Sequence, residues 1–301
     1  MSPAEPPKPI RRALLIVNPF ARRAEHRGLS ALHAFAREGV SCEVIFTAAP
    51  GHATELARER GPKFDAVFTL GGDGTAIEVI TALANTGPPV GVLPGGTGNV
   101  LVRSLGIPLS ARKAVHALIA GTEAQIDLGQ LSDGRHFAIG LGVGMDEAMI
   151  AGASPLMKKR AGVLAYVWAA TKAGLHLREF QVRLTVDGKV YERRASSVLI
   201  ANLGSVLGGL ITFGHGIYHD DGVLHACLFS PRGVKDTVRL FTKMLRGTVQ
   251  NDPAAFYVAG REFRLETDPP RRAQADGELL SMTPIEISVR PRAARLLIPA
   301  R

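Results

Sequence analysis

The chain has 301 residues, a length that predicts two domains at roughly 150 residues each. Apolar residues make up 46% and charged residues 21%, which excludes a disordered chain, collagen and a coiled coil. Lys and Arg total 36 against 27 Asp and Glu, and the net charge of +9 favours anionic partners: nucleic acid, phosphorylated ligands or an anionic membrane surface.

In chain order, residues 1–9 read as a polar, Pro-rich flexible tail with no apolar leader. The run ALLIVNP (13–19) predicts a buried strand, and HRGLSALHAFAREG (26–39) a helix from the spacing of Leu29, Leu32, Phe35 and Ala36, with Gly39 as its stop. SCEVIFTA (41–48) predicts a second strand and GHATELARERG (51–61) a second helix. DAVFTLGGDGT (65–75) is a third strand entering a Gly-rich turn, and TAIEVITALAN (75–85) is the helix after it. PVGVLPGGTGN (89–99) ends a fourth strand in a second Gly-rich turn, and ARKAVHALIAG (111–121) closes the series. Strands alternating with helices imply a parallel sheet whose ligands lie beyond the carboxyl ends of its strands. Both Gly-rich turns fall at such ends.

After about Asp127 the pattern changes to strands. QVRLTVDGKVYERRASSVLIAN (181–202) predicts a hairpin turning on Asp187-Gly188 and a further strand. DGVLHACLFSP, EFRLETD and PIEISVR are more strand-like runs, interrupted by a helical stretch at 158–176. The segment from Ala195 to His219 carries no formal charge, but its glycines and Asn202 read as a strand entering a loop, not a membrane span. Cys42 and Cys227 are too few for a disulfide framework and read as buried thiols of a reducing compartment. The expected organisation is a domain over 10–128, completed by 290–301, and a second over 129–289.

Gly71-Gly72-Asp73-Gly74-Thr75 carries the strongest chemical signal. Glycines let backbone N–H groups approach an anion, and the following helix adds its positive end. An Asp there would repel phosphate unless a divalent cation lies between them. The plain alternative is a tight turn with Thr75 capping the helix. Pro94-Gly95-Gly96-Thr97-Gly98-Asn99 offers a second such turn, where Thr97 can meet a phosphate or cap a helix near Val100. No GxxxxGK[ST] occurs, nor does GxGxxG follow the first strand, so both usual nucleotide fingerprints are missing.

GGDGTAIEV with Glu78, together with GGTGNVLVRSLGIP, resembles the diacylglycerol kinase catalytic family, which includes bacterial lipid kinases and sphingosine kinases. The resemblance continues through Asn18-Pro19, Thr47, GHATELA, IDLG (126–129), IGLGVGMDEA (139–148), NLGSVLGG (202–209), HDDGVLHACL (219–228) and Asp276-Gly277-Glu278. It implies an α/β ATP-binding domain with flanking helices, a β-sandwich-like second domain and a cleft between them. By the same resemblance Asn18, Pro19, Thr47, Gly71, Gly72, Asp73, Gly74, Thr75, Glu78, Thr97, Asn99 and Glu278 serve ATP. Asp276 would be the base that takes the proton of a lipid hydroxyl. Asp221 and the Val223 carbonyl would bind Mg²⁺, with Asp146 in the network behind it. The plain alternative for both ADGELL and HDDGVL is a surface hairpin.

Two departures stand out. The family often has Asn-Pro-x-Ser-Gly where this chain has Asn18-Pro19-Phe20-Ala21-Arg22, so Arg22 is the candidate to supply charge to a phosphate. Val100-Leu101 follow Gly-Asn in a sphingosine-kinase-like pattern, which leaves the acceptor open between diacylglycerol and a sphingoid or other long-chain lipid. An NAD kinase shares GGDGT, and a regulator that has lost activity is the non-enzymatic alternative. Nucleic-acid binding is the weakest option, since basic residues are dispersed and no stacking motif occurs. The expected setting is cytoplasmic and peripheral to an anionic membrane, through KKR (158–160) beside Val163, Leu164, Tyr166, Val167 and Trp168. The plain alternative for that stretch is a helix packed on the second domain's sheet. The oligomeric state is open, a homodimer included.

Overall fold

The computed structural model describes residues 9–21, 24–96, 98–144, 179–206 and 209–300. The chain divides into two compact units, Met1–Ile126 with Arg292–Arg301, and Asp127–Pro291.

The first unit is α/β. Strands β1 (Arg12–Val17), β2 (Ser41–Phe46), β3 (Ala66–Gly71) and β4 (Val90–Pro94) form a parallel sheet in the order β2-β1-β3-β4. Helices α1 (Ala24–Arg37), α2 (His52–Arg60), α3 (Asp73–Ala82), α4 (Val100–Ser104) and α5 (Ala111–Ile119) connect and flank them. Leu14, Leu15 and Ile16 have no exposed surface, as expected of a strand covered on both faces. Each such side chain contributes about 1.5–3 kcal/mol on burial.

Helix α1 lies where its periodicity predicts, but in a different phase. Ala24, Ala31, Ala34 and Phe35 form its buried face, whereas Leu29 and Ala36 are exposed and Leu32 is half-buried. Small residues let the helix approach the sheet, and Phe35 meets Phe68 of β3 edge-on with ring centroids 4.8 Å apart.

The second unit is antiparallel. Strand β5 (Thr122–Leu131) leads into it, followed by β6 (His136–Phe137), β7 (Gly140–Val143), β8 (Phe180–Val186), β9 (Lys189–Ala195), β10 (Ser197–Ala201), β11 (Ser205–Val206) and β12 (Ile211–Thr212). Then come β13 (Leu224–Phe229), helix α6 (Val234–Leu245), β14 (Ala255–Gly260), β15 (Glu262–Asp268), β16 (Arg272–Ala275), β17 (Glu278–Met282) and β18 (Ile285–Ile298). One sheet runs β14-β13-β10-β7-β16-β17. Facing it are β9, β8, β15 and the start of β18, paired antiparallel. Phe137, Leu141, Val143, Leu184, Ile200 and Leu265 interleave between the two layers as the unit's core, the arrangement of a β-sandwich. Asp187-Gly188 turns the β8–β9 hairpin with both residues at positive φ, as read from the sequence. Cys42 and Cys227 both lie on strands as free thiols.

Candidate active site

In the first unit the two Gly-rich turns lie side by side at the carboxyl ends of β3 and β4. A Cβ on Gly95 would stand 2.5 Å from the Gly71 carbonyl oxygen, and one on Gly96 would stand 2.8 Å from the Gly72 Cα. Only glycine permits that backbone approach. Gly72 and Gly74 differ: a Cβ on either would meet nothing within 4 Å. Packing does not require glycine at these two positions, and open space lies beside them. Helix α3 starts at Asp73, two residues earlier than the sequence suggests. Its N-cap, Gly72, is extended and offers no side-chain cap. The uncapped N–H groups and the helix dipole make this end an anion site.

Asp73 lies between the turns. Its Oδ1 accepts the Leu101 amide at 3.1 Å, which caps α4. Its Oδ2 has no partner among the described residues. The carboxylate therefore has a structural duty on one oxygen and one oxygen available for a cation that accompanies a phosphate. Thr75 does not cap α3. It is buried, and its Oγ1 accepts from Asn18 Nδ2 at 3.2 Å.

Three residues read as nucleotide contacts have hydrogen-bond partners within the chain. Asn18 is engaged on both side-chain atoms, since its Oδ1 also accepts the Phe20 amide at 2.9 Å. Asn99, buried and at positive φ, accepts from the Gly96 amide and donates to the Gly96 carbonyl, both at 2.9 Å. Glu78 accepts the Gly51 amide at 3.2 Å and the Ala53 amide at 3.1 Å, which fixes the start of α2. Pro19 is exposed in the loop after β1, and Thr47 is buried at the end of β2, its amide on the Val17 carbonyl. Without a hydrogen-bond partner among the described residues are the uncapped start of α3 and Asp73 Oδ2, with open space beside Gly72 and Gly74. Arg22 and Thr97 lie outside the described residues.

In the second unit Asp276 and Gly277 turn the β16–β17 hairpin at positive φ, so the plain hairpin reading is right about the backbone. The side chain does more. Its carboxylate folds back and accepts the amides of Ala138 at 2.7 Å, Ile139 at 2.9 Å and Gly140 at 3.0 Å. Burial pushes the carboxyl up to about 6, against the pull of the three amides, and Glu278 adds a smaller push in the same direction. Glu278 itself is exposed at the start of β17.

Asp221 is already engaged. Its carboxylate accepts the amides of Val223 at 3.1 Å and Tyr218 at 3.4 Å and contacts His225 Nε2 at 3.1 Å. Val223 thus meets Asp221 through its N–H. Among the described residues no group of three or more His, Cys, Asp or Glu is arranged to hold a metal, and Asp146 lies outside them.

A buried polar network behind Asp276 was not foreseen. Asp127 has no exposed surface and accepts the Gly222 amide at 2.6 Å. Asn202, equally buried, donates to the Asp127 carbonyl at 2.7 Å and the Ala138 carbonyl at 2.9 Å. The signal available in the sequence is a polar residue inside each apolar run, QIDLG and VLIAN.

Comparison with known proteins agrees with this architecture. Residues 12–131 match the diacylglycerol kinase catalytic domain, and residues 140–298 match the YegS C-terminal NAD kinase beta sandwich-like domain. A diacylglycerol kinase of Bacillus subtilis is 29% identical over 96% of this chain and 97% of its own. An uncharacterized Synechocystis protein is 26% identical over 95% of this chain and 70% of its own. A solved Bacillus anthracis structure superposes with a TM-score of 0.83 at 24% identity, over 99% of this chain and 98% of that one. Another from that organism, described as a diacylglycerol kinase, gives 0.78 at 22%, over 97% and 98%. An open Gly-rich turn at GGDGT on an α/β unit and a clamped carboxylate on a β-sandwich are thus features of a chain that belongs to the family built from the diacylglycerol kinase catalytic domain and the YegS C-terminal NAD kinase beta sandwich-like domain.

Proposed function

We propose that the chain transfers the γ-phosphoryl group of Mg²⁺-ATP to the hydroxyl of a membrane lipid, diacylglycerol first, with a sphingoid or other long-chain lipid as the alternative acceptor. The observation that carries the reading is the pair Gly72 and Gly74, which face open space at the uncapped start of α3. Phosphoryl transfer asks the protein mainly for positioning and charge neutralisation. Backbone amides at the α3 start would cradle the phosphates, and Asp73 Oδ2 would hold the cation that arrives with the nucleotide. Asn18, Asn99 and Glu78 keep those amides in place.

Asp276 suits the second task, accepting the proton of the acceptor hydroxyl. A carboxyl raised toward neutrality is a stronger base than an ordinary aspartate, yet ionised at pH 7. The test is incubation with γ-labelled ATP and separate acceptors: diacylglycerol, sphingosine, a total lipid extract and NAD. Label in diacylglycerol supports the reading. Label confined to a sphingoid base moves the acceptor, and label confined to NAD defeats it.

A further inference from the structure

The groove between α1 and α5 of the first unit has no part in the chemistry above. It encloses about 340 Å³ and is lined by His26, Leu29, Ser30, His33 and Arg37 of α1 and by Arg112 of α5. The five α1 residues recur at spacings of three and four, so they form one stripe along the helix. Among the described residues no carboxylate lines it. Glu38, just beyond the stripe, is taken by His116 at 2.7 Å. Arg37 and Arg112 are exposed, and neither has an ion-pair partner among the described residues.

Two unneutralised guanidiniums in one concavity form an anion trap, and the planar fork of arginine matches phosphate. The groove also presents an apolar group where a soluble phosphate needs none: Leu29, in its lining, is 56% exposed. Leu109, just ahead of α5, is 45% exposed. Basic residues interleaved with exposed leucines fit the headgroup boundary of an anionic bilayer, where the cations meet phosphates and the leucines reach acyl chain.

We propose that the α1–α5 groove docks this chain on an anionic bilayer, with Arg37 and Arg112 on phospholipid phosphates and Leu29 below them. The proposal rests on the lipid-kinase reading only for its purpose, since docking would bring the enzyme to its acceptor. Its test uses neither ATP nor acceptor. The full chain is sedimented with phosphatidylcholine vesicles with and without phosphatidylglycerol.

The wild type is expected to partition onto the anionic vesicles, and Arg37→Glu/Arg112→Glu to lower its partition coefficient by about tenfold or more. Leu29→Gln should lower it too. Arg58→Glu/Lys63→Glu, an equal charge change at exposed positions elsewhere on this unit, should lower it much less. An equal loss in that control would reduce the effect to net charge and overturn the proposal. So would equal binding to neutral vesicles, or release by millimolar inorganic phosphate at constant ionic strength. Turnover on a short-chain acceptor in detergent micelles should survive the groove variants. Its loss would place the arginines in the catalytic apparatus and overturn docking. A wild type that phosphorylates no lipid in micelles would defeat the kinase reading alone and leave the vesicle result standing.

Discussion

Asp276 and Gly140 are bound to each other twice. The Gly140 amide donates to Asp276 Oδ1 at 3.0 Å, and the Asp276 amide donates to the Gly140 carbonyl at 3.1 Å. With Ala138 and Ile139 also donating, the carboxylate is fixed at the start of β7 and cannot swing with the hairpin tip. A base held this way loses little entropy on reaching its working geometry. General-base assistance is typically worth about 10²–10⁴-fold. Asp276→Ala should lower kcat by that factor with ATP affinity unchanged. A variant that keeps kcat but loses ATP affinity would move Asp276 to the nucleotide.

The raised carboxyl gives a pH signature. Activity should climb as pH rises through about 6, because only the ionised carboxylate can accept a proton. Stability should respond in the opposite sense. A carboxyl raised by burial favours the folded state in its protonated form. That contribution is present below about 3.9, the value in an unfolded chain, and is lost as pH rises through about 6. Thermal midpoints of wild type minus Asp276→Asn should therefore fall between pH 4 and pH 7. A flat difference would leave the carboxyl unperturbed.

The elements of the first unit were legible because each buried strand is a short apolar run stopped by glycine or proline, as in DAVFTLGG and PVGVLPGG. What polar side chains do at those stops was not. Asn18, Glu78 and Asn99 stand where a ligand contact is expected, yet Glu78 and Asn99 bond backbone groups, and Asn18 bonds the Thr75 hydroxyl and the Phe20 amide. The partners of Glu78 lie 27 and 25 residues away. Spacing cannot show which way such a side chain faces. In α1 the period was right and the phase wrong, because alanines pack against the sheet and leave Leu29 outside. The Asp127–Asn202 network joins residues 75 apart, a pairing that only the fold creates.

Asp73 offers a clean separation of structure from charge. Its Oδ1 caps α4 through Leu101, a bond that an asparagine oxygen can keep. Asp73→Asn should therefore fold with an unchanged thermal midpoint. The loss of negative charge at Oδ2 removes the oxygen assigned to the cation, so kcat with Mg²⁺-ATP should fall by about 10²–10³-fold, the scale of losing one preorganised electrostatic contact. Asp73→Ala should lose both activity and stability, since α4 is then uncapped at a cost of about 1 kcal/mol. Near-wild-type turnover in Asp73→Asn would reduce the residue to its capping duty.

Asn202 tests whether the buried network positions the base. Its Nδ2 donates to the carbonyls of Asp127 and Ala138, and the Ala138 amide in turn donates to Asp276. Its Oδ1 is buried with no partner among the described residues, where the side chain is held by its donors. Asn202→Ala strands two buried carbonyls and should cost on the order of 2 kcal/mol. Asn202→Asp is the sharper change, because it keeps the shape and turns an acceptor toward two acceptors. It should destabilise more than Asn202→Ala, although it removes no atoms from the core. Both variants should lower kcat through the displaced Ala138 amide, and both should retain ATP affinity, which belongs to the other unit. If Asn202→Asp proves as stable and active as wild type, the network neither holds this unit together nor places Asp276.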